Sequence, residues 1–483
     1  MQLSKKTRPE LAYLFDLPER VLQFGTGVFI RGLIDYFIDK ANKEGNFNGR
    51  VVMVKSTAAG DIDDFREQDC LYTLLMKSTG IEERVLCAGV SRVLDASSEW
   101  ERVLECAADP GIEIVVSNTT EAGIVLDEKD RIDDTPPRSF PGKLLAVLWA
   151  RWKALGSLPD SGLVIIPTEL IPDNATLLKG ILNELARING LEAEFIRWMN
   201  EENDFCNSLV DRIVPGRLPA AEHAALEKEL GYEDSSMIMA ETFGLWAIET
   251  GRARTREVLS FSRSHEGIRI VENIEKYREL KLRLLNASHN LSCALGYLLG
   301  FKTVREAMAD TAFDAWMRGL ILGEIAAAIV SETESDVGRR ITAEDAREFG
   351  SLVLERYRNP YIAFDWLSIC VQDTSKIRIR AVPVILQYYN RFGFVGEHIS
   401  MGMAAYILFM RGGEGYVVED DYAENLRGKW QKYSGLTLVK QVLGDESLWG
   451  VDLSVLHGFA ESVALALERL EEKGVKLFKT QVI

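Results

Sequence analysis

The stretch Lys281-Leu-Arg-Leu-Leu-Asn286-Ala-Ser-His289 sets a lysine, an amide and an imidazole on one run of helix-forming sequence. A lysine loses its charge readily when buried. A pKa drawn toward the working pH suits a general base for alcohol oxidation or a general acid for ketone reduction. The amide and the imidazole can hydrogen-bond the oxygen that passes between hydroxyl and carbonyl. On an α-helix Asn286 and His289, three apart, share a face. Lys281 lies roughly 80° around the axis from His289 at about 100° per residue, within reach of its long stem. The same residue types also meet on purely structural helices, so the rest of the chain decides between the two. No metal is implied, because the lysine can move the proton and the histidines and cysteines show no ligand spacing.

A second chemical signal is Gly25-Thr-Gly27-Val-Phe29-Ile-Arg31-Gly32, between an apolar strand at 21–25 and an amphipathic helix at 29–41. Free backbone amides and a helix N-terminus can meet a dinucleotide pyrophosphate there, although a plain tight turn would look similar. The spacing, GxG and then four residues before the next glycine, is longer than the usual fingerprint. A second strand at 50–55 ends in Lys55-Ser56-Thr57, where an acid for the adenosine ribose is usual; Asp61, Asp63 and Asp64 come later. Lys55, Ser56 or Arg66 would equally face a 2′-phosphate, so these residues leave NAD and NADP both open.

The elements that must position these groups follow from periodicity. Apolar runs at 112–117 and 162–167 alternate with helical segments at 98–107 and 143–154, which predicts a parallel sheet covered on both faces. From about 274 the pattern turns helical, through 277–299, 303–330, 342–357, 380–392 and 453–472. The expected architecture is a Rossmann-type α/β domain over 1–273 that binds the dinucleotide, then a mostly α-helical substrate domain over 274–483. No low-complexity linker divides them, so a ligand cleft between the two is expected.

A chain of 483 residues exceeds one ordinary core, and its 47% apolar and 27% charged residues are those of a soluble globular protein. The net charge of −17 argues against a nucleic-acid or anionic-membrane surface and leaves small molecules as partners. Neither a signal-like segment nor a membrane span is expected. Six scattered cysteines read as free thiols of a reducing cytoplasm. Oligomeric state is open.

Four motifs occur in order: the glycine loop above, Glu67-Gln68-Asp69-Cys-Leu-Tyr72-Thr73-Leu, Leu209-Val-Asp211-Arg212-Ile213-Val, and the Lys281 to His289 segment. In this the chain resembles the long-chain polyol dehydrogenases, the mannitol dehydrogenase family, over roughly 17–466. The resemblance implies NAD(P) chemistry with Lys281 as acid/base and Asn286 and His289 on the reacting oxygen and its neighbour. It implies Gly25, Gly27, Phe29, Arg31, Gly32, Asp69, Asn118 and Glu121 for the cofactor, and Glu169, Asp211, Lys376 and Arg380 for the substrate. Asp211 and Arg212 read equally as an ion pair supporting the pocket. Glu169-Leu170-Ile171, Ser117-Asn118-Thr119-Thr120-Glu121 and Asp204-Phe205-Cys206 are similar to the hexuronate reductase branch. Members acting on mannitol carry Cys-Asp-Asn where this chain has Thr168-Glu169-Leu170, and leucine lacks the amide of an oxyanion site. Thr242 and Ala287-Ser288 depart from the branch, which usually has proline and Gly-Ala there.

A hexuronate carboxylate needs a local cation in so acidic a chain. Ser375-Lys376-Ile-Arg378-Ile-Arg380 is the densest basic cluster near an expected helix start. The implied activity is reduction of a keto-hexuronate, tagaturonate before fructuronate, with a mannitol-type polyol as the alternative. A nucleotide-binding sensor without chemistry is the reading from another class.

Overall fold

The computed structural model describes residues 1–473 except 58, 59, 61, 120, 121, 157, 332–339 and 414. The chain forms two compact units, Met1–Ile274 and Glu275–Ile483. The first is built on a six-stranded sheet of β1 (Glu19–Phe24), β2 (Arg50–Lys55), β3 (Val90–Asp95), β4 (Ile114–Ser117), β5 (Val164–Pro167) and β6 (Asp204–Phe205). Its spatial order is β3-β2-β1-β4-β5-β6 and every pairing is parallel, as predicted. That is the doubly wound order, whose direction reverses between β1 and β4.

Strands buried on both faces read as near-continuous apolar runs, and alternate residues serve opposite faces. Val21, Val51, Met53, Ile114 and Ile166 meet Ile30, Leu33, Ile34 and Phe37 of the segment after β1. Leu22, Phe24, Val52, Val54 and Val115 meet the helices Trp100–Ala108 and Phe140–Leu155 on the other face. The segment after β1 is helical throughout 28–43 but relaxes to π geometry over Arg31–Asp35.

The expectation of a single parallel sheet is incomplete. Tyr72–Ser78 pairs antiparallel with Ile81–Cys87 and parallel with Ile238–Ala240, while Leu245–Glu249 pairs parallel with Ile268–Val271 and antiparallel with Ser208–Asp211. The strand Ile81–Cys87 escapes a hydropathy reading because it lies open to water over Ile81–Arg84.

The second unit is helical, as predicted, yet its boundaries move. The run 303–330 is not one helix: Asp310 accepts from the amides of Ala312 and Phe313 and starts a new helix at Thr311, and Gly319–Ile325 is again π-helical. The last helix starts at Phe459 instead of 453. The basic cluster lies within a helix, Asp373–Arg380, so the next begins only at Val382, with Pro383 in its first turn. The helix Glu397–Met410, buried almost all round and so without a polar stripe, has no amphipathic signature. Among the described residues no helix is long and apolar enough to cross a membrane.

Candidate active site

In the first unit the loop after β1 meets the loop after β4. Gly25 has φ +130°, and a Cβ there would stand 2.7 Å from the Asn118 carbonyl oxygen, so only glycine suits this approach. Gly27, at φ −64° and ψ 161°, precedes the helix, and a Cβ on it would meet nothing within 4 Å. The space beside Gly27 is thus open at the carboxyl ends of β1 and β4, at a helix N-terminus, where a dinucleotide phosphate fits. The Ser56 hydroxyl at the end of β2 is buried with no hydrogen-bond partner among the described residues, as a group awaiting a ribose hydroxyl would be. Asn118 donates to Thr168 Oγ1 at 3.0 Å.

Other residues assigned to cofactor or substrate have protein partners. Glu169 is buried, and its carboxylate accepts from the Thr119 amide and Thr119 hydroxyl, both at 2.8 Å, and from Ser117 Oγ at 3.1 Å. It braces the loop after β4. Arg31 lies between the rings of Phe65 and Tyr72 and donates to the Ser236 carbonyl; burial holds its pKa below the usual arginine value. Asp69, at φ 52°, accepts from the Lys5 amide at 2.8 Å. Phe29 packs against the core. A Cβ on Gly32 would press on Val214 at 3.0 Å, so its glycine serves packing. Asp211 is buried at the end of its strand, and Arg212 donates to the carbonyls of Gly32 and Glu241. Glu121 lies outside the described residues.

In the second unit Lys281–Ala287 is π-helical and continues as an α-helix, Ser288–Leu298. The α-helical 80° offset therefore does not apply to Lys281, since the wider turn resets the angle. Over 283–296 every residue is buried except Asn286 and His289, and Lys281 just before them is also only half-buried. Asn286 Oδ1 is buried without a hydrogen-bond partner among the described residues. The wide turn is closed by side chains: Tyr357 Oη donates to the Leu285 carbonyl at 2.7 Å and Ser288 Oγ to that of Leu284 at 2.6 Å. The Tyr357 ring also stacks on His289, centroids 4.2 Å apart, and fixes the imidazole plane. Only its distance in sequence hid Tyr357 from a reading of motifs.

Arg283, paired with Glu279, donates to the carbonyls of Ile379 and Arg380 and ties this segment to the basic helix. Arg380 Nη1 donates to Asn290 Oδ1 at 3.0 Å, and Asn290 Nδ2 to Asp373 Oδ1 at 2.6 Å. Burial raises the Asp373 carboxyl to about 7 and lowers the Arg380 guanidinium. Lys376 Nζ donates to the Ile369 and Val371 carbonyls at 3.1 and 2.5 Å, so its charge sits at the end of the preceding helix, Trp366–Cys370. Arg378 is exposed. Among the described residues no group of His, Cys, Asp and Glu could hold a metal ion.

Residues 19–260 match the family model of the mannitol dehydrogenase Rossmann domain, and 273–471 that of the mannitol dehydrogenase C-terminal domain. The altronate oxidoreductase of Halalkalibacterium halodurans is 37% identical over 485 residues, spanning 95% of this chain and 92% of that protein. That of Bacillus subtilis is 35% identical over 467 residues, 95% and 94% of the two chains. The mannitol 2-dehydrogenase of Pseudomonas fluorescens, solved as a ternary complex with NAD and D-mannitol, has a similar fold: TM-score 0.69, 24% identity, 99% of this chain and 98% of that one.

Proposed function

The chain belongs to the mannitol dehydrogenase family, and from that premise we propose that it is an NAD-dependent oxidoreductase of keto-hexuronates, reducing tagaturonate to altronate. The observation that carries this reading is that Asn286 and His289 alone are half-exposed over 283–296, with half-exposed Lys281 just before them, in a chain that altronate oxidoreductases match over 95% of its length.

Bound NADH supplies the hydride for the ketone carbon. Gly25 and Gly27 let the backbone come close to the pyrophosphate, and Ser56 offers its hydroxyl to the adenosine ribose. Asn118, held by Thr168 and flanked by residues that Glu169 braces, lines the nicotinamide end. Lys281 gives its proton to the oxygen that becomes a hydroxyl, and the reverse reaction returns it. Asn286 and His289 hydrogen-bond that oxygen and its neighbour as charge develops. The unpartnered Asn286 Oδ1 and the imidazole stacked on Tyr357 support this role: the first can accept from a substrate hydroxyl, the second is already oriented. Arg380, its fork set by Asn290, binds the sugar carboxylate, with Lys376 adding charge nearby. A cytoplasmic setting belongs to the same reading, supported by six free, buried cysteines.

The test is a spectrophotometric screen of NADH and NADPH oxidation with tagaturonate, fructuronate and fructose. Tagaturonate with NADH should give the highest kcat/KM. Preference for fructuronate would reassign the sugar acid, preference for fructose would make the enzyme a polyol dehydrogenase, and cofactor binding without turnover would indicate a sensor.

A further inference from the structure

The end of β2 carries a cation where dinucleotide folds usually place an acid, and that cation is already held. Lys55 and Asp95 are register partners on β2 and β3, at the carboxyl ends where ligands of this fold bind, with Lys55 Nζ 2.8 Å from Asp95 Oδ2. Arg66, the next cation along the chain, pairs with Glu99 and donates to the Val93 carbonyl. Glu99 also accepts from the Asp95 amide at 2.9 Å, which joins the two pairs into one cluster. Asp95 Oδ1 in turn accepts from the amide and hydroxyl of Ser97. The side chains of Lys55 and Asp95 are only 9% and 18% exposed, so water screens their interaction weakly.

We propose that this enzyme selects NAD over NADP through Asp95, at the neighbouring strand end, and Glu99, just before the helix that follows, which neutralise Lys55 and Arg66. The inference rests on the cofactor reading above and names what enforces it. A 2′-phosphate brought to Lys55 would lie within a few ångströms of the Asp95 carboxylate, and one brought to Arg66 would meet Glu99. Like charges so close repel strongly where water is scarce. An uncharged ribose diol meets no such penalty and can use the Ser56 hydroxyl. Discrimination is thus exerted by acids outside β2, which explains how Lys55 can occupy that strand end. Asp95 holds its charge firmly: against the cost of burial, the Lys55 and Ser97 contacts bring its pKa down to about 2.

Fluorescence titration of the full-length protein with NADH and NADPH reads this directly, without turnover. The parent should bind NADH at least about tenfold more tightly. Equal affinity would overturn the proposal, and binding of neither would overturn the cofactor reading beneath it. Asp95→Asn should tighten NADPH binding roughly tenfold while leaving NADH within about threefold, because it releases the Lys55 charge at nearly constant shape. Adding Lys55→Met should abolish the gain. An unchanged NADPH affinity in Asp95→Asn, or a gain that survives Lys55→Met, would refute the assignment. If Asp95→Asn does not fold, Glu99→Gln reads the Arg66 half: a gain for NADPH supports the proposal, and no gain counts against it.

Discussion

Two glycines two residues apart should fail in opposite ways. Gly27 has an ordinary extended conformation and open space where a Cβ would go, so Gly27→Val should leave the fold nearly untouched. Loss of a favourable N-cap residue, up to about 1 kcal/mol, is offset by a stiffer unfolded chain. The net is within about 0.5 kcal/mol, or roughly 2 °C in Tm. The added methyls nevertheless enter the open space proposed for the pyrophosphate, so NADH affinity should fall at least about tenfold, or 1.4 kcal/mol. Gly25→Ala is the converse. Its φ of +130° and the Asn118 oxygen 2.7 Å from the new Cβ impose backbone strain and a clash with another backbone. Together these cost about 2 kcal/mol or more, which lowers Tm by roughly 4 °C or more. Fluorescence titration and thermal melts of both variants separate the effects. The reasoning is refuted if Gly27→Val binds NADH within twofold of the parent, or if it melts several degrees lower while Gly25→Ala does not.

Lys281→Ala should lower kcat for tagaturonate by ~100-fold or more and leave NADH affinity unchanged; activity within a few-fold of the parent would remove the lysine from the proton transfer. Asp35 is fully buried, and its carboxyl is raised by burial to about 7 from an ordinary 3.8. The folded state therefore keeps its proton over a range where the unfolded state has lost it, and stability falls as pH rises from about 4 to 7. Asp35→Asn removes that slope, so it should raise Tm at pH 8 more than at pH 5, and equal shifts at both pH values would contradict the sign. Lys376→Met should raise KM for tagaturonate more than for fructose. Since the ammonium also serves two carbonyls, stability should drop by about 1–3 kcal/mol in a denaturant titration; a uniform KM change would detach Lys376 from carboxylate recognition.

Local pattern reached far into this protein. The runs at 50–55 and 112–117 read as buried strands because apolar residues dominate them, and the glycine loop follows the first strand because a tight turn into a helix demands it. Lys281, Asn286 and His289 stand out in the sequence as a candidate chemical set, since residue type and closeness in sequence are local properties. The added strands were not: Ile81–Cys87 is half polar and becomes a strand only because Tyr72–Ser78 offers it a ladder.

What the tertiary structure alone decided is the partner of each polar group. In sequence Arg31 sits inside a cofactor motif, yet packing puts it between Phe65 and Tyr72. Glu169 sits in a substrate motif, yet it faces Ser117 at the end of the neighbouring strand and Thr119 in the loop after it. Tyr357 reaches His289 and Leu285 across some seventy residues, and Asp95 reaches Lys55 across forty. Hydrophobic periodicity is a local property that each segment carries by itself. A buried charge or amide must instead be satisfied by whatever the fold brings within about 3 Å, and that proximity exists only once distant segments have packed.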